Sequence, residues 1–232
     1  MTDNAGGLTG RWRELRRELD GAGVALLAVS KYADDAAVAE LVRAGQQDFA
    51  ESRPQRLRDR ALAFPSARWH MIGPLQKNKA KYIARHAAAW HSLEDVDTAR
   101  AVAGHVQDRH LPVLVQLNLG GIEHQHGVAP DALPALLREV MQLSTLRLAG
   151  LMCMAPRDGD ARDCFDALRR LRDSLQKPMP LPAVEGGEDD NIPFLPPGRL
   201  ALCMGMSGDY RLAIDEGADI VRIGSGLFDI GG

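Results

Sequence analysis

Short runs of consecutive apolar residues recur along the chain, at 24–31, 48–52, 69–73, 89–93, 112–119, 148–154, 200–206 and 220–228. Most are continuous rather than alternating, which is the pattern of parallel strands covered on both faces. Helical stripes lie between them. Val38, Leu41 and Val42 share one face, as do Val96, Ala99, Val102, Ala103 and Val106. Leu133, Leu136, Leu137, Val140 and Met141 form another stripe, and Phe165, Leu168, Leu171 and Leu175 a fourth. Asp34, Asp95 and Asp131 sit near helix starts, where a carboxylate favours the helix dipole. Gly45 and Gly217 fall where helices need a C-cap. A further helix, about 8–19, precedes the first strand.

Strict alternation of eight strands with helices predicts an α/β fold, a single-domain (β/α)8 TIM barrel over 8–232 with an extra N-terminal helix. An open doubly wound sheet would carry a glycine-rich turn after its first strand. Here that turn reads Ser30-Lys31-Tyr32-Ala33-Asp34, without glycine, and the barrel is the better reading. Residues 1–7 read as a disordered start. Residues 176–199 hold six prolines and the acidic stretch Glu185-Gly186-Gly187-Glu188-Asp189-Asp190, which excludes a regular helix or central strand. They read as a surface excursion.

Composition narrows the picture only a little. With 232 residues the chain can bury a sizeable core, and 45% hydrophobic with 25% charged residues is ordinary for a globular protein. A net charge of −3 favours neither nucleic acid nor anionic membrane. Cys153, Cys164 and Cys203 lack metal-type spacing, and an odd cysteine count without a signal peptide points to reduced thiols and the cytoplasm. His124 and His126 make a His-x-His pair without a placed third ligand, so no metal site is expected; His70 and His91 read as satisfied polar residues near strand ends.

The chemistry concentrates at three strand ends. Lys31 closes the first apolar run, and a lysine amine there forms a Schiff base with an aldehyde once it loses its proton. Met206-Ser207 and Gly224-Ser225-Gly226 follow the seventh and eighth runs, and Gly/Ser loops bind phosphate through backbone N–H groups and hydroxyls. In a closed barrel the first strand neighbours the eighth, which brings Lys31 to both loops. Alternation turns Arg222 and Gly224 inward when Val221 and Ile223 pack against helices. The set suits a phosphorylated aldehyde, of which pyridoxal 5'-phosphate (PLP) is the common one.

Several motifs in order carry a resemblance: Ala28-Val29-Ser30-Lys31, Ala44-Gly45 through Ala50-Glu51, and Arg68-Trp69-His70-Met71-Ile72-Gly73. Leu75-Gln76-Lys77-Asn78-Lys79, His91-Ser92, Met204-Gly205-Met206-Ser207 and Val221-Arg222-Ile223-Gly224 continue it. The chain resembles the pyridoxal phosphate homeostasis proteins, whose barrel matches the N-terminal domain of alanine racemase. The resemblance implies that Lys31 carries the Schiff base and that Ser207, Gly224 and Ser225 hold the phosphate. It also implies that Arg222 contacts the pyridine nitrogen, that Met206 lines the pocket and that Ser52 lies beside the cofactor. Ser52-Arg53 stand where the family has Asn-Tyr, Pro74 where it has histidine, and Gln125 where a lysine is common.

The implied function is intracellular PLP homeostasis by a monomeric carrier, with PLP as ligand and PLP-dependent apoenzymes as recipients. Racemisation needs acid/base groups on both faces of the substrate carbanion, and only Lys31 is apparent. A guanidinium at the ring nitrogen also weakens the electron sink on which transamination and decarboxylation depend. The alternatives are a racemase-like enzyme and, more remotely, a nucleic-acid module built on Lys77, Lys79, Lys81 and Arg85 around Tyr82, which a solvated helix face explains better.

Overall fold

The computed structural model describes residues 7–156, 159–176, 195–196 and 198–228. After α1 (Leu8–Ala22), strand and helix alternate: β1 (Ala25–Val29), α2 (Asp35–Ala44), β2 (Asp48–Glu51), α3 (Pro54–Ala63), β3 (Arg68–Met71) and α4 (Ala80–His86). Then come β4 (Ala89–Leu93), α5 (Val96–Ala103), β5 (Leu111–Leu117), α6 (Leu133–Val140), β6 (Leu146–Cys153) and α7 (Ala161–Gln176). The described chain closes with β7 (Ala201–Cys203), α8 (Tyr210–Asp215), β8 (Ile220–Ile223) and the single turn α9 (Ser225–Phe228). The strands pair in chain order as a closed parallel barrel, β8 returning to β1 with Leu27 opposite Arg222 and Ala28 opposite Ile223. The barrel fold is therefore as expected.

Period-two alternation sorts the strand residues into two cores. Outward side chains such as Leu26, Ala28, Phe49, Trp69, Trp90, Val113, Val115, Leu202 and Val221 pack under the helices. Phe49 and Trp69 stack there with ring centroids 5.2 Å apart. Inward side chains mix Leu27, Leu114, Met152 and Ile220 with the small Ala50, Ala89, Ala149 and Ala201. Small inward residues leave room inside the barrel for the larger polar side chains of His70, His91 and Arg222, all buried.

The helix ends follow local chemistry. Asp34 and Asp95 are N-caps, accepting from the backbone N–H of Ala37 (2.8 Å) and Thr98 (2.7 Å). Asp131 is not a cap; Ala132 occupies that position of α6. Gly45 is the left-handed C-cap of α2. Val106 lies beyond the end of α5, and Met141 is exposed just past α6.

Several strand boundaries differ from expectation; β7, for one, ends at Cys203 rather than at Met206. β1 ends at Val29, so Lys31 stands in a turn rather than in the strand: Ser30 N–H still reaches Ala50 O on β2 (3.1 Å), but Ser30 O accepts from Ala33 N–H (2.9 Å), which turns the chain. The run 220–228 is not one strand: Gly224 breaks the ladder and Ser225–Phe228 coil into α9. Gly7 is ordered as the N-cap of α1, with its carbonyl accepting from Arg11 N–H at 3.0 Å. The rest of the start expected to be disordered, residues 1–6, lies outside the described residues, as does most of the stretch 176–199 expected to be an excursion.

The loop after β3 is set by one close approach. A Cβ on Gly73 would lie 2.2 Å from the carbonyl oxygen of Ser52. Gly73→Ala is therefore expected to push the β2 and β3 loops apart and cost about 2–3 kcal/mol, in the range of overpacking substitutions. Urea unfolding measures this, and an unchanged midpoint would contradict it.

Candidate ligand-binding site at the rim of the barrel

Lys31 owes its position to a clamped turn. Ala33 N–H donates to Ser30 O (2.9 Å), which leaves Lys31 and Tyr32 at the tip. One shoulder is tied by the buried Ser30 hydroxyl, which donates to Glu51 Oε1 at 2.7 Å. The other is tied through Ala33 O, which accepts from Arg56 Nη2 (2.6 Å) and Arg60 Nη2 (2.7 Å). Arg60 is itself buried on α3 and also pairs with Asp35 at 2.8 Å. Glu51 is fully buried with Oε2 unpartnered among the described residues, and burial pushes its carboxyl up against the opposing pull of Ser30, Arg56 and Arg60. The Lys31 side chain is exposed, its Nζ 5.0 Å from the centre of the Tyr32 ring. The expectation of a lysine that ends a strand is corrected: it is presented from a rigid turn, in contact with solvent.

Beside that turn lies the end of β8. A Cβ on Gly224 would meet Val29 O at 3.3 Å, so the backbones of β1 and β8 run in close contact up to the rim. On the other side, Ser207 Oγ accepts from Gly226 N–H at 3.1 Å, and a Cβ on Gly226 would press on that hydroxyl at 3.3 Å. Met206 is half exposed, its N–H donating to Asp209 Oδ1. Ser225 is exposed at the start of α9. The bare backbone of Gly224 and Gly226, with the hydroxyls of Ser207 and Ser225, forms an open polar rim suited to an anion. Ser52 is partly buried at the end of β2, against Gly73.

Arg222 lies below the rim, inside the barrel, 4% exposed. Its partners are protein atoms. Nη1 donates to Cys203 O (2.9 Å) and Cys203 Sγ (3.2 Å), and Nη2 to Cys153 O (2.8 Å). Nε makes no hydrogen bond among the described residues. A cofactor nitrogen is thus not needed to satisfy the buried cation, though Nε remains able to donate.

His70 and His91 are satisfied polar residues, as expected, His70 next to the end of β3 and His91 in the middle of β4; both lie inside the barrel, and they touch. His70 Nδ1 and His91 Nε2 are 2.9 Å apart, His70 Nε2 lies 3.1 Å from Asp48 Oδ1, and His91 Nδ1 lies 3.4 Å from Cys203 Sγ. Burial, then the neighbouring His70 and Arg222, push His91 well below the usual imidazole range. Burial opposes ionisation of Asp48, but hydrogen bonds from His70 and Arg68 overcome it and hold its carboxyl at about 2. Sequence reasoning missed this chain because His91 on β4 and Cys203 on β7, 112 residues apart, meet only inside the closed barrel. A signal was present: each histidine is the polar residue at the inward position beside outward Trp69 or Trp90.

These two groups predict acid lability. A buried group whose folded pKa is depressed binds fewer protons folded than unfolded. Its stabilising effect is complete above the unfolded value and is lost as pH falls. For His91 the loss begins near 6.5, and for Asp48 near 3.8, running down through about 2. Stability is expected to fall below pH 6.5 by up to about 1.4 kcal/mol per pH unit for each differing proton. His91→Gln should flatten the upper part of that slope; equal slopes in urea unfolding at pH 5 and 6 for variant and wild type would contradict it.

The remaining candidates are engaged elsewhere. His126 Nδ1 pairs with Glu94 at 2.9 Å, and Gln125 Nε2 donates to Met154 O at 3.1 Å. In the basic cluster, Lys77 pairs with Asp97 at 2.6 Å, while Lys81 and Arg58 pack over the Tyr82 ring. A cleft of 830 Å³ at the opposite end of the barrel is bordered by Arg16, Arg68 and Arg199, each paired with an aspartate. No helix of the described residues is long and apolar enough to cross a membrane.

The family model of the alanine racemase N-terminal domain matches residues 4–187. The pyridoxal phosphate homeostasis protein of Deinococcus radiodurans is 39% identical over 88% of this chain and 88% of its own length. That of Pseudomonas aeruginosa is 37% identical over 98% of this chain and 94% of its own. Among solved structures, PipY of Synechococcus elongatus, determined with PLP bound, superposes with a TM-score of 0.80 at 30% identity, covering 96% of this chain and all of that one.

Proposed function

This chain belongs to the family of pyridoxal phosphate homeostasis proteins, and we propose that it binds PLP on Lys31 and holds the cofactor for release to other proteins. The family membership supports PLP as ligand and PLP homeostasis as role. The observation that carries the residue assignment is the juxtaposition at the rim: a lysine on a clamped turn at the end of β1, beside bare glycine backbone and two hydroxyls at the ends of β7 and β8. The residues fit the group, offering an amine for its aldehyde, hydroxyls and amides for its phosphate, and a guanidinium for its ring nitrogen.

PLP, when bound, supplies an aldehyde that condenses reversibly with a primary amine. The protein residues do the rest. The Ser30–Glu51 and Ala33–Arg56–Arg60 contacts hold the Lys31 backbone still, so that only the side chain must move. Ser207, Ser225, Gly224 and Gly226 would hold the phosphate. Met206 and Ser52 would flank the ring, and Arg222 would donate from Nε to the ring nitrogen. Because a guanidinium keeps its proton, this contact favours storage over amino-acid chemistry.

The protein loaded with PLP is expected to restore activity when mixed with the apo form of a PLP-dependent aminotransferase, and to leave a panel of L- and D-amino acids unracemised. Robust turnover of any amino acid would replace the carrier with a racemase-like enzyme. Failure to restore the apoenzyme would remove the delivery role while leaving binding intact.

A further inference from the structure

Behind Arg222 the barrel interior holds an unbroken line of polar contacts: Arg222 Nη1 to Cys203 Sγ (3.2 Å), Cys203 Sγ to His91 Nδ1 (3.4 Å), His91 Nε2 to His70 Nδ1 (2.9 Å), and His70 Nε2 to Asp48 Oδ1 (3.1 Å). The line starts on β2 and ends on β8, drawing a residue from each of β2, β3, β4, β7 and β8. Cys203 and His91 are completely buried, His70 is 1% exposed and Arg222 4%.

Donor and acceptor inventories allow two proton arrangements along it, which differ in whether His70 Nδ1 accepts or donates. Asp48 is ionised and only accepts, so His70 Nε2 donates to it. With His70 Nδ1 as the acceptor, His91 donates from Nε2. His91 in turn accepts at Nδ1, and the only proton available there is that of the Cys203 thiol. A guanidinium only donates, so Cys203 sulfur must present a lone pair to Arg222. The thiol meets both demands at once: its proton points to His91 and its lone pair to Arg222.

We propose that Cys203, oriented by His91, His70 and Asp48, is a positioning residue that holds the Arg222 guanidinium in the pose in which its Nε is left to donate to the cofactor ring. This rests on the reading of the rim as a PLP site. Carbonyls of Cys203 and Cys153 fix two corners of the guanidinium, and the thiol lone pair adds a third contact whose polarity the histidine chain decides. If the chain ran the other way, His91 would donate to the sulfur and the thiol proton would turn towards Arg222. A proton facing a cation repels it. The charged groups around the line are Arg68 beside Asp48, and Asp219, whose charge is felt at Cys203.

Cys203→Ser keeps a group that donates and accepts, whereas Cys203→Ala keeps neither. Cys203→Ser is expected to bind PLP within about twofold of wild type with the same visible band, while Cys203→Ala binds about tenfold more weakly with a displaced band, the loss expected for one contact to a charged group. A purely structural role would lower the unfolding midpoint without moving the band. Should either variant fail to fold, the wild-type chain without PLP gives a second reading: nitrogen-15 NMR at pH 7.5 is expected to find both His70 and His91 as Nε2–H tautomers. An unchanged band and affinity in Cys203→Ala, or an Nδ1–H tautomer at His91, would overturn the relay alone. Absence of any PLP band in wild type would instead overturn the cofactor reading, and with it the role given to Arg222.

Discussion

Replacing Lys31 by alanine is expected to abolish the visible band that PLP gives on binding and to leave only weak, reversible association through the phosphate. Lys31 is the sole lysine on the rim formed by β1, β7 and β8 among the described residues; Lys77, Lys79 and Lys81 stand beyond β3. The substitution removes an exposed side chain at the tip of a turn whose hydrogen bonds run through Ser30 and Ala33, not through the lysine. Folding should therefore be unaffected, since exposed substitutions of this kind stay within about 0.5 kcal/mol. Titration with PLP, followed by absorption and circular dichroism, separates the two effects. A retained band in a folded Lys31→Ala protein would place the covalent attachment elsewhere.

Arg222→Ala carries the second large effect, and this one falls on stability as well as binding. The side chain is 4% exposed and occupies the middle of the barrel. Its removal strands Cys203 O and Cys153 O, and takes the donor from Cys203 Sγ. Each stranded buried acceptor costs about 1–3 kcal/mol, and the void left in a packed interior adds to that. Relief from burying a cation offsets part of the loss. The expected net destabilisation is about 3 kcal/mol, visible as a lower urea midpoint at pH 7.5. Arg222→Lys should recover only part of it, because an ammonium on a flexible stem cannot span carbonyls on β6 and β7 as the planar guanidinium does. An Arg222→Ala protein as stable as wild type would show that the three contacts contribute nothing net.

Much of the architecture was legible because parallel strands buried on both faces carry continuous apolar runs, and amphipathic helices such as α6 and α7 carry clean stripes. The illegible parts have specific causes. α3 offers no apolar stripe because one of the positions it buries is Arg60, a cation that reaches back to the Ala33 carbonyl. β8 was overrun because Leu227 and Phe228, apolar like a strand, belong to a helical turn that packs its own buried Leu227. Lys31, Ser207, Arg222, Gly224 and Ser225 could be gathered on paper because barrel closure brings strand one beside strand eight. The turn that presents Lys31 could not, since it depends on Glu51, Arg56 and Arg60 converging from β2 and α3. The Asp48–His70–His91–Cys203 line was equally hidden. Its members come from four separate strands, and only the inward parity of each polar residue within an apolar run hinted that they share one interior.

The glycine constraint at Gly73 and the acid lability of His91 and Asp48 probe the frame around the site. The attachment itself is tested more directly by reducing the PLP-loaded wild-type protein with borohydride, digesting it and locating the pyridoxyl label by mass spectrometry. One labelled peptide is expected, containing Lys31, at a stoichiometry near one per chain. A label on another lysine, or spread over the surface lysines in proportion to their exposure, would contradict it and leave the likeness to the family one of fold without the proposed site.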